Sequence, residues 1–415
     1  MPSCTAIRTK FPHLTCLALF RFWGRAGQQN SIPSIPRALE FHHLSRICIS
    51  MFLEANDHHR QKVFDMFEQL GFENLNPTQA SMILALILGA LFGAIAHHLK
   101  FCFRSAVVGA GNAGQNARSL WFVALGTAVL VTQLLTLTGY IAFTDHRLMD
   151  SDLPILAILT GGVMFGMGMV LTRGCISRLT VLTGSGNLRA LTVLIVFAVL
   201  AHATLKGVLA PLRMWLGSVT LPVDGVSSLA DLPGGAAVWA ALLALICFAF
   251  AAHSGVSWSK AIWAGFLGLL VPAGWLGTGF ILQDEFDPIV MQSLSFTAPA
   301  ADLLFWTVAS SAIPAGFGVG LILGVVLGAA ASALGKKEFN WQSFETPKQT
   351  GRYFLGAALM GLGGVLAGGC TVGAGLAGIA SLSIAAIIAL ASIALGGWAM
   401  QALLAEKQSA AVGVH

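Results

Sequence analysis

The chain has 415 residues, 56% of them hydrophobic and only 10% charged, with a formal net charge of +5. So much apolar surface cannot be hidden in one soluble core, which excludes an ordinary soluble domain and makes lipid part of the solvent. The small positive excess comes without a basic helix or a basic patch with interleaved aromatics, which argues against a nucleic-acid partner.

Residues 1–75 form a separate compositional zone of mixed polarity, with one short apolar run, LTCLALF, at 14–20. That run is too short to span a bilayer, and the GRAGQQNS that follows matches a signal-peptide cleavage site poorly. No stable domain is expected there, and Met51 and Met66 are alternative starts. A membrane domain is expected over 76–405, followed by a short tail at 406–415.

Apolar runs of helical length recur near 79–99, 119–143, 154–172, 189–209, 235–252, 259–282, 303–334, 353–369 and 376–404. They predict an all-α polytopic membrane protein of about nine transmembrane helices. Pro314 divides the seventh run into a short segment and a full span, because proline lacks a helix donor and clashes with the preceding turn. One set of connections carries Lys100, Arg104, Arg118, Arg173, Arg178, Arg189, Lys260, Lys336, Lys337, Lys348 and Arg352. The opposite set carries Asp145, Asp150, Asp152, Asp224, Asp231, Asp284, Glu285, Asp287 and Asp302. The positive-inside rule makes the first set cytoplasmic and places the C-terminus with it. His97 and His98, at the end of the first run, read as interfacial.

Seven cysteines (Cys4, Cys16, Cys48, Cys102, Cys175, Cys247 and Cys370) form no CxxC pair and no regular spacing. A disulfide framework or zinc site is therefore not expected, nor is any other metal or cofactor. A displacement of 195 positions lays GGVMFGMGMVLTRGC (161–175) over GAALMGLGGVLAGGC (356–370), with seven of fifteen positions identical and both stretches ending on Gly-Cys. The spans leading to Cys175 and Cys370 are the third and eighth, so they run in opposite directions. Two inverted repeats follow, about 79–210 and 259–404, each with a re-entrant helical segment that turns at its cysteine. Inverted repeats with broken helices are a transporter signature, because unwound backbone at membrane depth is tolerated only inside protein or along a cavity.

A thiol at such a turn is polarizable, a weak hydrogen-bond donor, and able to touch a soft anion without adding a second charge. Gly174, Gly368, Gly369 and Gly373 are candidate turn residues that could also present backbone donors to an anion. Arg173 and Arg178 are candidate attracting cations. Cys247, in ALICFAF, reads as a packing residue, and the glycine spacing near 356–364 reads as helix packing.

The stretches KFCFRSAVVGA (100–110), FGMGMVLTRGCISRLTVLTGSGNLRAL (165–191) and LMGLGGVLAGGCTVGAGLAGIASLS (359–383) together resemble the YeeE/YedE family of membrane proteins. That resemblance covers about 79–404. It implies a bacterial inner-membrane importer of thiosulfate or a related sulfur oxyanion. It also implies a substrate pathway along Cys102, Cys175 and Cys370 that uses transient thiol–anion hydrogen bonds. A cytoplasmic sulfurtransferase is the partner such a context suggests, beside the lipid bilayer; no catalytic residues are implied. The chain departs from the family pattern in having Arg173-Gly174-Cys175 where Gly-Gly-Cys is common, and Gly184-Ser185-Gly186 where Gly-Glu-Gly is common. The competing reading is a membrane-embedded sulfurtransferase or redox sensor that carries persulfide on a cysteine near Arg173.

Overall fold

A computed structural model describes residues 76–412 apart from 144–145, 150–151, 223–226 and 285–286. The expectations for residues 1–75 lie outside the described residues. The described elements all belong to one compact unit, Met66–His415.

The helices in chain order are α1 (Pro77–Leu99), α2 (Phe103–Val108), α3 (Gly111–Leu137), α4 (Ile155–Leu171), α5 (Ile176–Gly184), α6 (Leu188–Lys206) and α7 (Ala210–Gly217). They continue with α8 (Gly235–His253), α9 (Trp258–Leu276), α10 (Thr297–Ala309), α11 (Phe317–Gly335), α12 (Pro347–Leu366) and α13 (Ile384–Val412). Wider π-type turns extend α9 over Gly277–Ile281 and follow α12 over Thr371–Gly378. Among the described residues, nine helices or broken helices are long and apolar enough to cross a membrane. The β structure among these residues is a two-residue antiparallel clip between loops, Asp152–Leu153 with Leu221–Pro222.

Boundaries follow local chemistry. Pro314 falls between α10 and α11, the division its missing donor predicts. The second span begins at Gly111, eight residues before the apolar run at 119, because its polar first turns extend beyond the apolar part. The ninth begins at Ile384 instead of 376, since Thr371–Gly378 winds as a separate π-type turn after Cys370.

The packing has an internal pseudo-two-fold pattern. α1 packs on α11 as α9 packs on α3, α4 packs on α13 as α12 packs on α6, and α2 meets α3 as α10 meets α11. α4 and α12, the two repeat-bearing helices, pack on each other. The glycines shared by the repeat make that crossing. A Cβ on Gly161 would stand 2.5 Å from the amide nitrogen of Ala367, and one on Gly363 2.6 Å from that of Phe165. In the mirrored contact, a Cβ on Gly168 would stand 2.5 Å from the carbonyl oxygen of Gly356. Small residues are what allow helix backbones to touch in a bilayer, where lipid is as apolar as leucine and offers no drive to pack.

α8 has no counterpart in this pattern. It packs mainly on α3, with Cys247 buried against Gly126, and only 22% of its apolar window is buried, the least of the nine spans.

Candidate functional site

Each of the three candidate cysteines stands at the start of a helical segment, just after a helix has been broken. Cys102 precedes α2, Cys175 precedes α5, and Cys370 precedes the π-type turn Thr371–Gly378. All three have extended backbone (φ −160, −73 and −85°) and are 5%, 1% and 0% exposed, so each thiol is enclosed by protein.

One device makes all three breaks. Two residues before each cysteine the chain enters the left-handed region, at Lys100 (φ 52°), Arg173 (φ 60°) and Gly368 (φ 75°). Such a residue ends a helix by turning its amide, and the next one, back onto carbonyls of the last turn. Lys100 and Phe101 donate to His97 and Ala96 (3.2 and 3.0 Å), and Arg173 and Gly174 donate to Val170 and Met169 (3.2 and 3.0 Å). Gly368 donates to Val365 (3.1 Å). Arg173 thus occupies a backbone position that glycine fills in the second half, and its side chain is exposed.

The glycines act mainly through conformation. The amides of Gly174 and Gly368 close these helix ends, and the Gly373 amide donates to the Cys370 thiol at 3.3 Å. Gly369 and Gly373 are also sterically required, since a Cβ would stand 2.9 Å from the Ala374 nitrogen and 2.7 Å from the Ser295 hydroxyl, respectively. Gly174 is not: its nearest neighbours would be 3.5 Å away.

The structure brings Cys102 and Cys175 together as neighbouring buried thiols. The Cys175 sulfur also lies 3.2 Å from the Ser177 hydroxyl. Trp121 of α3 holds this corner in place, stacked on Phe101 (5.3 Å between centroids) and edge-on to Phe103 (4.8 Å), the residues on either side of Cys102. Arg178, on the first turn of α5, lies close enough for its charge to act on both thiols and on Glu338, and its Nη1 is buried with no hydrogen-bond partner among the described residues. Cys370 has a different neighbourhood, formed by Phe296, Thr297, Val372 and Gly373.

Beyond the thiol pair is a charged cluster. His97 sits 3.1 Å from the Ser332 hydroxyl and 3.6 Å from the Glu338 carboxylate, and Lys336 contacts His98. His97 is buried because α11 closes over α1 at that level. His98 remains exposed. The cluster joins residues 97–100 to 332–338, and no sequence spacing foretells that meeting. Among the described residues no group of His, Cys, Asp and Glu could hold a metal ion. The enclosed thiols beside one unpaired guanidinium suit a desolvated soft anion.

Comparison with known proteins agrees with this chemistry. The chain is 26% identical over 332 residues to the thiosulfate transporter TsuA of Spirochaeta thermophila, covering 77% of this chain and 98% of that protein. It is 25% identical over 332 residues to the thiosulfate transporter TsuA of Escherichia coli, covering 71% and 87% respectively. The pattern that defines the sulphur transport family matches residues 98–399, a stretch that contains all three cysteine breaks. The chain therefore belongs to the sulphur transport (YeeE/YedE) family.

Proposed function

We propose that this protein imports thiosulfate, or a closely related sulfur oxyanion, across the bacterial inner membrane along Cys102, Cys175 and Cys370. The observation that carries the reading is the facing pair Cys102–Cys175 beside the unpaired Arg178 cation, in a chain whose relatives are thiosulfate transporters. Thiols meet the outer sulfur of the anion through transient hydrogen bonds, and Arg178 offsets part of its charge. No covalent bond is formed. The charge bias of the loops orients the route, with Lys100, Arg178 and Lys336 on the cytoplasmic side together with the C-terminus, and Cys370 in the outward half. A cytoplasmic sulfurtransferase is the partner class that would receive the imported sulfur.

The test is uptake of labelled thiosulfate, and growth on it as sole sulfur source, in cells lacking other importers. Cys175→Ala and Cys370→Ala should each abolish most uptake at wild-type protein levels. Unchanged uptake in both variants refutes the thiol route.

A second reading, a persulfide-carrying sulfurtransferase or redox sensor, draws support from the closeness of Cys102, which could resolve an oxidised Cys175. Mass spectrometry after exposure to thiosulfate separates the two. A sulfur adduct on Cys175 or a Cys102–Cys175 disulfide favours the second reading, and unmodified thiols favour transport.

A further inference from the structure

The 195-residue displacement that lays Cys175 on Cys370 also lays Phe101 on Phe296 and Cys102 on Thr297. The contacts follow the same correspondence. Cys102 faces Cys175 at the first break, and Thr297 faces Cys370 at the second. Each follows a buried phenylalanine, Phe101 packed on Trp121 and Phe296 on Phe92 at 5.3 Å. The inward half thus holds a thiol–thiol pair, and the outward half a thiol–hydroxyl pair.

The Thr297 hydroxyl has only the thiol of Cys370, a weak acceptor, beside it. Thr297 is 5% exposed and Thr371, directly after Cys370, is 0% exposed, yet neither Oγ1 has a hydrogen-bond partner among the described residues. A helical threonine ordinarily donates to the carbonyl four residues back, as Thr180, Thr204 and Thr278 do at 2.9, 2.7 and 2.9 Å. Thr297 and Thr371 begin their helical segments, so no preceding turn lies behind them to accept. Two buried donors flanking one thiol are unfavourable unless something occupies them.

We propose that Thr297 is a fourth substrate-contacting position, the hydroxyl counterpart of Cys102, and that with Thr371 it donates to the oxygens of the passing oxyanion while Cys370 meets its sulfur. The assignment rests on the transport reading above and adds specificity to it. Thiosulfate has a soft sulfur end and a hard face of three oxygens. A hydroxyl is a better donor to oxygen than a thiol is, so this site reads both ends of the ion at once.

The experiment compares Thr297→Val, Thr371→Val, Thr297→Ser and Thr297→Cys in the full chain, by thiosulfate uptake in cells and by thermal unfolding in detergent with and without thiosulfate. Valine keeps the shape and removes the orphan hydroxyl, so the unliganded variants should unfold at or above the wild-type temperature. Their KM should rise about tenfold, the loss of one hydrogen bond to an ion, and stabilisation by thiosulfate should shrink. Thr297→Ser should stay within about twofold of wild type. Wild-type uptake by the valine variants overturns the proposal. If a valine variant fails to fold, Thr297→Cys should still show a higher KM than Thr297→Ser, and equal values overturn the proposal. Failure here leaves wild-type uptake and its loss in Cys175→Ala intact, whereas absence of wild-type uptake brings down the transport reading and this proposal together.

Discussion

Replacing Arg178 by glutamine removes a charge while keeping much of the side chain's length. The guanidinium charge acts on the Cys102 and Cys175 thiols, and its Nη1 is buried without a partner among the described residues, so an anion at the thiol pair would receive a charge-assisted bond from it. Such bonds are worth about 1.5–3 kcal/mol, and about 1.4 kcal/mol corresponds to a tenfold change in affinity. The loss should therefore raise the KM for thiosulfate by about 10- to 150-fold. Glu338 also acts on the guanidinium and offsets part of its charge, which favours the lower end of that range. Arg178→Lys keeps the charge but not the planar fork and should recover part of the loss. The assay is concentration-dependent uptake of labelled thiosulfate at matched protein levels, with detergent unfolding as a control on folding. A KM within twofold of wild type in Arg178→Gln would refute the electrostatic role.

Gly363→Ala should lower stability by about 1–3 kcal/mol, since its Cβ would press to 2.6 Å from the Phe165 nitrogen, whereas Gly174→Ala should change it by less than about 0.5 kcal/mol. Thermal unfolding in one detergent compares the two, and equal sensitivity would contradict the packing assigned to Gly363. Arg173→Gly should stabilise by about 1 kcal/mol, by relieving a left-handed non-glycine residue, and leave the thiosulfate KM unchanged because the side chain is exposed. A raised KM would show that Arg173 attracts the ion. Gln133→Leu should cost about 1–3 kcal/mol, because Gln133 Nε2 donates at 2.8 Å to the otherwise buried Ala380 carbonyl, and the same unfolding measurement reads it.

Sequence revealed most where two copies of a pattern could be compared. Cys175 and Cys370 stood out because a rare residue recurred beside matching glycines, and the crossing of α4 and α12 uses those glycines. Pro314 revealed its break because a missing donor acts locally. Arg173 beside Cys175 reads as an anion-attracting charge, and the structure adds its left-handed backbone at a helix end and its exposed side chain, while Arg178 is the cation whose charge acts on both thiols. The glycine-rich TVGAGLAG read as a weakly helical link and winds as a π-type turn, which no hydrophobic periodicity announces. Thr297 lay in the same register as Cys102, but a hydroxyl in an apolar run carries no compositional signal, and only its place beside Cys370 with no well-formed hydrogen bond draws it out. His97 and Glu338 meet across two distant helices, a proximity that depends on tertiary packing alone.

The solitary helix α8 settles a question of parity. Among the described residues, four spans precede it and four follow it. A chain that crosses a bilayer an even number of times returns to the side from which it started, so two four-span halves joined directly would enter from the same face and lie parallel. One additional crossing turns the second half upside down. The service α8 performs is therefore arithmetical: without that one crossing the second set of four spans would lie parallel to the first.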